Sequence, residues 1–279
     1  DVTDEDCEYY HAIAPNGGLS PFSTTSATWA RAWPLKPDVV FEGGNAANDQ
    51  YSACSLPCLS LVAPNHRYAL GRLLTFSNAT SAATALAARM AAQLMAAYPE
   101  FWPETIRALI VHSASWTDAM KRQFSPPTGP TTKAHYLNLV RHCGFGVPDL
   151  QRAQWSVANS LTLITQSGDL QPFQREGSAE PKMRDMHLHR LPWPQQELED
   201  LGEVEVEMRV TLSYFIEPNP SARGFSKYRY HSHGLRFDVR RSGESDSQFR
   251  GRINKAARDE EYGTTTSGAK GREARRHGT

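Results

Sequence analysis

The sequence predicts an α/β fold with buried strands and helices, followed by a mostly antiparallel module that resembles a β-sandwich. Three patterns support this prediction. A continuous apolar run at 39–41 is typical of a buried strand. An alanine-rich segment at 82–98 predicts a buried helix. From 203 to 212 apolar and polar residues alternate, as expected of a strand with one face in solvent.

The first strand signals occur before the alanine-rich helix. The apolar run at 39–41 ends at Gly43 and Gly44, a pair that favours a tight turn. Further apolar runs at 59–62 and 73–76 predict two more strand segments. The chain therefore approaches the helix through short extended pieces.

The helix at 82–98 is predicted from composition and periodicity. Alanine is the best helix former, and the large apolar residues Leu86, Met90 and Leu94 repeat every four residues. Small residues cover most of the remaining helix surface. We therefore expect a core helix that is buried on nearly all sides.

Two shorter helices follow. Pro103 occupies the position expected at the first residue of a helix, because proline there loses no hydrogen bond. A segment at 125–134, rich in Pro, Thr and Gly, predicts a surface loop. Asp149 is an expected cap for a short helix that extends through Trp155.

The periodicity divides the chain into three regions. Residues 1–158 carry the strand and helix signals of an α/β unit. Residues 159–254 form the β-rich module, with period-two strands at 203–212 and 235–240. Residues 255–279 are polar and rich in Gly and Arg, so we expect a disordered tail.

Composition limits the classes of function. The chain has 279 residues, and its 30 basic residues are matched by 30 acidic ones. This balance argues against nucleic acid or a membrane surface as partner. There is no apolar run of membrane-spanning length, and four of the first six residues are acidic, unlike a signal peptide. We expect a cytoplasmic protein.

The four cysteines give no complete metal pattern. Cys54 and Cys58 form a C-x3-C pair, but neither a second pair nor a suitably spaced histidine accompanies it. We favour reduced, partly buried thiols for these two residues and for Cys7 and Cys143, with a disulfide left open as the alternative.

Ser81 is the candidate catalytic residue. It stands at the start of the alanine-rich helix, where backbone N–H groups are free and the helix dipole is positive. Such a position suits a nucleophile whose attack generates an oxyanion. The alternative is a plain capping serine, since serine is a favoured residue at helix N-termini.

Three ordered motifs resemble the subtilisin-like serine proteases, the subtilases. Residues 80–83, Thr-Ser-Ala-Ala, resemble the G-T-S-x-A-x-P segment that carries the catalytic serine. The Lys-Pro-Asp-Val-Val sequence at 36–40 resembles a strand upstream of that serine, and Gly-Phe-Gly-Val at 144–147 resembles a downstream turn. The resemblance covers residues 20–158. It implies the C-terminal half of a subtilase domain, with a parallel sheet and buried helices.

The resemblance implies that Ser81 is the nucleophile and that its own N–H forms part of the oxyanion hole. The family's aspartate, histidine and oxyanion asparagine all precede the serine, and no matching segment lies upstream here. Ala79 and Ala85 replace the family's glycine and proline. Asn45 follows the strand that normally comes after the oxyanion asparagine, so we expect a structural role in a turn. This chain alone should therefore be inactive.

The module after residue 159 resembles the β-domain of some bacterial intracellular subtilases, several of which resemble partners of AAA-type ATPases. The expected function is that of a serine endopeptidase acting on a protein or peptide substrate without a cofactor. The alternative is a non-catalytic pseudopeptidase that acts through protein binding.

Two histidine pairs allow a metal site to be considered. His187 and His189, like His231 and His233, are two residues apart, so on a strand each pair would point to one face. Since no cysteine or carboxylate lies at a suitable spacing, we expect an exposed polar face and no metal. The basic residues of the tail are expected to be solvated.

Overall fold

The computed structural model describes most of the first 158 residues and parts of the remainder. The described residues are 9–29, 35–49, 51–124, 129–158, 162–168, 170–171, 173–174, 177, 182–184, 186–191, 193–215, 235–241 and 243–266.

The chain divides into two compact units. The first comprises Asp1–Trp29, Leu35–Ser160 and Arg209–Thr211. The second comprises Ala30–Pro34, Leu161–Met208 and Leu212–Thr279.

Three small antiparallel sheets are present among the described residues. In the first unit, β1 (His11–Ala12), β2 (Ala47–Asn48) and β3 (Ala53–Cys54) form a three-stranded sheet in that order. Next come β4 (Leu61–Pro64) and β5 (Leu74–Ser77), which pair as a hairpin and match the predicted apolar runs.

The predicted parallel sheet is not formed within the described ranges, where every paired strand is antiparallel. The reason lies in what covers the run at 39–41. Val40 N–H donates to Gly146 O at 3.0 Å, and Phe145 N–H donates to Asp38 O at 2.8 Å. The backbone hydrogen bonds of this extended segment are thus made with a glycine-rich turn and not with a neighbouring strand.

Five helices build the rest of the first unit. They are α1 (Ala79–Ala97), α2 (Pro103–Ser113), α3 (Asp118–Phe124), α4 (Lys133–Cys143) and α5 (Leu150–Ala158). The predicted helices at 82–98, at Pro103 and after Asp149 are confirmed, and Asp149 Oδ1 accepts the Arg152 N–H at 2.8 Å. Sequence reasoning did not predict α3 and α4.

The prediction that α1 is buried on nearly all sides is wrong for the described residues. Its buried positions are Ala82, Met90 and Leu94, which form one stripe. That stripe faces α2 and α5, and the Tyr98 hydroxyl donates to Gln154 O at 3.0 Å. Most other positions of the helix are exposed; Met95, for example, is 52% exposed.

A small core joins α3 and α4. Met120, Leu139 and Cys143 are buried together, and Val40 and Trp116 pack against them. The Trp116 indole N–H donates to Gly144 O at 2.9 Å. The core therefore fixes the glycine-rich turn beside the extended segment at 38–40.

Ser26 links three distant segments. Its side chain is fully buried, its N–H donates to both Lys36 O and Arg141 O, and its Oγ accepts the Lys36 N–H at 2.9 Å. The Arg141 guanidinium donates to Ser26 O at 2.8 Å. The N–H, Oγ and carbonyl oxygen of Ser26 and the guanidinium of Arg141 thus all have hydrogen-bond partners. Because these polar groups are paired, their burial costs little free energy.

The C-terminus of α2 is capped by arginines from elsewhere in the chain. Arg209 Nη1 donates to His112 O at 2.9 Å and to Ala114 O at 3.0 Å, and Arg152 Nη1 lies 3.5 Å from Ser113 O. Cations at a helix C-terminus satisfy terminal carbonyls and oppose the negative end of the dipole. These bonds explain why 209–211 belong to the first unit.

The second unit contains β6 (Phe173–Gln174) and β7 (Lys182–Met183), with α6 (Gln195–Leu201) and α7 (Asp246–Thr266). The period-two strands predicted at 203–212 and 235–240 are not formed. Residues 204–215 and 235–241 have no regular secondary structure. No β-sandwich is formed by the residues described. Alternation identifies an apolar face, but that face is buried only if a second layer packs against it.

Helix α7 covers residues 255–266, the first part of the segment for which we expect a disordered tail. The remainder of that segment, including the basic residues of the tail, lies outside the described residues.

The start of α7 is capped by side chains. Ser245 N–H donates to Gln248 Oε1 at 2.8 Å, and Ser245 Oγ accepts the Gln248 N–H at 3.3 Å. This reciprocal pair is a capping box.

An ion-pair network holds the first turns of α7. Arg252 Nε and Nη2 donate to the two carboxylate oxygens of Glu244 at 2.8 and 3.0 Å. Arg252 Nη1 donates to Asp238 at 2.9 Å. The hydrogen bond from Arg252, with the backbone N–H of Arg241, lowers the pKa of Glu244 to about 2.

Substituting Gly144 should destabilise the first unit strongly. A Cβ at this position would lie 2.6 Å from Pro37 O and would overlap the Asp38 carbonyl, and the backbone has φ +56°. We expect Gly144→Ala to lower the free energy of unfolding by ~2–3 kcal/mol. Gly71 is the control, since it has φ +88° but open space around it. Gly71→Ala should cost only about 1 kcal/mol. Urea denaturation followed by Trp fluorescence measures both, and equal losses would contradict the packing argument.

Acid should release the α7 network within a defined pH window. Because the folded-state pKa of Glu244 is depressed, its contribution to stability is present above the unfolded pKa, about 4.3. That contribution is lost as pH falls from there towards 2. Amide protection factors at 246–252, which correct for the intrinsic pH dependence of exchange, should fall over this window more in the wild-type chain than in Glu244→Gln, which already lacks the charge. Identical pH profiles for the two proteins would count against the network.

Candidate active site around Ser81

Ser81 lies in the first turn of α1, at a strand-to-helix junction. Strand β5 ends at Ser77, and Asn78 is the extended N-cap residue. Asn78 makes no side-chain cap, because its Nδ2 donates to Ser55 Oγ at 3.1 Å. First-turn N–H groups have no acceptor within a helix, so this junction offers backbone donors to an incoming oxyanion.

Ala79 adopts a left-handed backbone conformation. Its φ is +66°, the one positive value among the described residues other than glycine. This region is costly for any residue with a Cβ and costs glycine nothing. The resemblance described above places glycine here, so the fold retains the conformation although the side chain has changed.

Gly43 and Gly44, which follow the extended segment, lie in close backbone contact with the strand-to-helix junction. Ala79 N–H donates to Gly43 O at 2.7 Å. A Cβ at Gly43 would lie 3.1 Å from Ala79 O, and one at Gly44 would lie 2.8 Å from Leu59 O. Gly44 has φ +77°. Close backbone approach thus requires glycine at both positions.

All three sequence motifs meet along one stretch of chain. The turn at 144–147 bonds to the segment at 36–40 through Asp38 and Val40. Three residues after Val40, the carbonyl oxygen of Gly43 accepts a hydrogen bond from the start of the Ser81 helix. The structure therefore brings together motifs that are more than 100 residues apart in sequence.

Asn45 has a structural role, as expected. Its Nδ2 donates to Ala14 O at 2.8 Å, and its Oδ1 accepts the Ala14 N–H at 3.2 Å and the Ala46 N–H at 2.9 Å. Three hydrogen bonds of the side chain thus hold the segment at 45–46 against Ala14.

The Ser81 side chain is exposed and has no base bonded to it within the part of the chain that the structure describes. Five of the seven histidines that the structure describes form hydrogen bonds with other residues. The pairs are His66 with Arg67, His112 with Thr211, His135 with Thr132, His142 with Asn138 and His187 with Ser167. The structure shows no described histidine bonded to Ser81.

Asp38 is an ionised structural partner and not an acid for Ser81. Burial opposes its ionisation, but the hydrogen bond and charge of Lys36, together with Arg107, hold its pKa below the usual range. The contacts measure 2.6 Å to Lys36 Nζ and 2.8 Å to Arg107 Nη2. Both oxygens are therefore engaged.

No metal centre is formed by the residues described. No group of three or more His, Cys, Asp or Glu side chains there is arranged to hold an ion. His187 and His189 have ring centroids 6.2 Å apart, and His187 Nδ1 bonds to Ser167 Oγ at 2.8 Å. The second pair, His231 and His233, lies outside the described residues.

Cys54, Cys58 and Cys143 are free cysteines, as in the interpretation that we favoured, but the expected partial burial does not hold for Cys58. Cys54 is half-buried, Cys58 is exposed and Cys143 is buried. Burial raises the pKa of Cys143 to about 12, so this thiol is inert. Cys7 lies outside the described residues.

A pocket of about 220 Å³ opens between α3 and α4 and is lined by side chains that include Trp116, Phe124, Tyr136 and Leu139. Ser81 does not line this pocket.

Within the described ranges, no helix is long and apolar enough to cross a membrane.

Comparison with known families shows to which family the chain belongs. The model of the subtilase family matches residues 3–146, just over half of the chain, and the match includes all of 36–40, Ser81 and the turn up to Gly146. The chain belongs to the subtilase family.

The chain is also similar in sequence to a curated protein. The uncharacterized protein y4bN of Sinorhizobium fredii (strain NBRC 101917 / NGR234) is 27% identical over 184 residues, which are 64% of this subtilase chain and 38% of the relative. The chain thus spans about two-fifths of the length of the curated relative that it matches. No solved structure matches it.

Sequence reasoning missed the structural role of Gly43 and Gly44 in this subtilase. We predicted a tight turn there, whereas the pair also forms the surface on which the helix junction rests. The signal that could have revealed this is the pair of glycines shortly after the family's strand motif, since adjacent glycines permit close backbone approach.

Replacing Ala79 with glycine should stabilise the chain. Glycine removes a left-handed strain of ~1–2 kcal/mol, partly offset by the greater freedom of glycine in the unfolded state. We expect a net gain of about 0.5–1 kcal/mol in the free energy of unfolding. The control is Ala88→Gly in the exposed middle of α1, which should lose about 1 kcal/mol. Urea denaturation compares them, and a loss in both would show that Ala79 is not strained.

Proposed function

We propose that Ser81 is the nucleophile of a subtilisin-like serine endopeptidase that hydrolyses peptide bonds in protein or peptide substrates. One observation carries this proposal. Ser81 is exposed in the first turn of a helix whose start bonds to Gly43, three residues beyond the strand motif at 36–40 that the turn at 144–147 also contacts. A plain capping serine would need no such link between the three motifs of the family.

The chemistry proposed follows from the position of Ser81. Its Oγ attacks the scissile carbonyl carbon and transfers its proton to a histidine base, which passes it to the leaving amine. The carbonyl oxygen becomes an oxyanion, and the Ser81 N–H and the positive end of α1 oppose that charge. Water then hydrolyses the acyl-enzyme. The mechanism also requires a base, an acidic residue that orients the base, and a side-chain donor to the oxyanion. The described residues are not seen to supply these groups to Ser81.

The magnitudes imply that the chain alone is nearly inactive. An unassisted serine hydroxyl is a poor nucleophile at neutral pH. Loss of one oxyanion donor costs about 10²–10³ in kcat, and loss of a triad member costs more. Neither penalty is offset by a group bonded to Ser81 within the described ranges.

A second candidate function is that of a non-catalytic pseudopeptidase that binds proteins. It is favoured by Ala79 and Ala85, which replace the family's glycine and proline. The exposed apolar residues of 203–212 also favour it, since exposed apolar surface commonly marks an interaction site.

The wider context of the protein is part of the proposal. We propose that residues 1–158 and 159–254 act as a protease part and a β-rich partner-binding part in the cytoplasm. An AAA-type ATPase is the proposed partner. The resemblance of the Thr-Leu-Ser-Tyr-Phe segment at 211–215 to the β-domain of such subtilases supports this.

An active-site probe tests the assignment of Ser81. A fluorophosphonate should label the full-length product of the gene at Ser81, and Ser81→Ala should abolish labelling. Ser77→Ala, four residues earlier in β5, is the matched control and should leave labelling unchanged. The 279-residue chain alone should label at least about 10²-fold more slowly, because it lacks the base.

The outcomes separate the two candidate functions. A folded full-length protein that does not label would favour the pseudopeptidase. Labelling that survives Ser81→Ala would show that another residue is the nucleophile, whereas stoichiometric labelling of the chain alone would exclude the pseudopeptidase.

A further inference from the structure

The β4–β5 hairpin presents an unusually apolar surface. Its register pairs Val62 with Phe76 and Pro64 with Leu74, which places these four side chains on one side of the hairpin. All four are exposed, with Val62 at 63%, Leu74 at 64% and Phe76 at 56%. We call these four residues the hairpin face. A two-stranded hairpin with an open apolar face is marginally stable until something covers it.

The surroundings of the hairpin face are cationic. The connection between the strands carries Arg67 and Arg72, both exposed. From residue 50 to residue 99 the sequence contains no Asp or Glu. A partner of the hairpin face should therefore be apolar and acidic.

The same chain contains a segment with these properties. Residues 203–208, the acidic segment, alternate Glu203, Glu205 and Glu207 with Val204, Val206 and Met208. The three apolar side chains are 61%, 54% and 46% exposed. No Lys or Arg occurs between Arg190 and Arg209. The alternation suits a β-strand, but the segment is in no sheet.

We propose that the hairpin face of one copy binds the acidic segment of a second copy as an added β-strand. The outer edges of β4 and β5 pair with no other strand among the described residues, so main-chain donors and acceptors are available there. In the extended sheet the apolar side chains of the acidic segment pack beside those of the hairpin face as cross-strand neighbours, and its glutamates lie near Arg67 and Arg72. The two surfaces match in backbone pairing, in apolar character and in charge.

Charge favours a second copy over a lipid surface. The chain carries equal numbers of acidic and basic residues, and two arginines provide little attraction to anionic lipid. The glutamates of the acidic segment would be repelled by such a surface. A second copy uses both charged surfaces at once, which a membrane cannot do.

Sedimentation velocity on the Ser81→Ala chain tests self-association independently of catalysis. A reducing agent is included because Cys58 is exposed. We expect a concentration-dependent oligomer whose dissociation constant rises as salt is added. Arg67→Glu with Arg72→Glu should weaken association at least about tenfold, as should Glu203→Arg with Glu205→Arg. Arg89→Glu with Arg122→Glu is the matched control and should have no effect.

Mixing the two charge-reversed proteins gives the decisive measurement. Their surfaces are complementary again, so the mixture should associate although neither variant does so alone. Circular dichroism establishes that each variant is folded. A wild-type chain that stays monomeric, association that ignores the charge reversals, or a mixture that does not recover would each overturn the proposal. Binding to phosphatidylserine vesicles without self-association would overturn it in favour of a lipid surface.

Discussion

The contact between the turn at 144–147 and the extended segment at 36–45 is the constraint on which the first unit depends. Gly144 lies so close to Asp38 that no side chain fits, and two backbone hydrogen bonds join the segments. At one end of the extended segment Lys36 meets the buried Ser26 node, and at the other end Gly43 meets the start of α1. This contact therefore links the glycine-rich turn, through the extended segment, to the start of the helix that carries Ser81.

Backbone contacts therefore position Ser81. The junction is held by Gly43, Gly44 and the left-handed conformation of Ala79, and the helix lacks a side-chain cap. A conformation that costs free energy persists only where its surroundings enforce it. Here the hydrogen bond from Ala79 N–H to Gly43 O enforces it. The same geometry leaves first-turn N–H groups facing the place where an oxyanion would form, which suits the proposed chemistry.

The sequence predicted the elements that depend on local signals. Pro103 and Asp149 mark helix starts through chemistry within one turn, and both predictions are confirmed. Similar but weaker signals mark the starts of α3 and α4. Thr117 Oγ1 accepts the Met120 N–H at the start of α3, and Thr132 Oγ1 bonds to the ring of His135 at the start of α4. The sequence did not reveal α4 because His135, and not Glu or Gln, completes its capping box. The parallel sheet and the period-two strands depend on distant partners, which alternation cannot identify.

The mismatch between the composition and the exposure of α1 carries the strongest structural message. A helix made of Ala, Leu and Met is typical of a core, but only Ala82, Met90 and Leu94 are buried among the described residues. Exposed alanine costs little, so the helix can fold with one side covered. Its apolar character on the other side gains free energy only when a further surface packs there. Ser81 lies at the exposed start of the same helix, so a surface that packs against the first turn of α1 would also lie beside Ser81. If Ser81 is the nucleophile that we propose, such packing would bury the start of the helix and enclose the active site together.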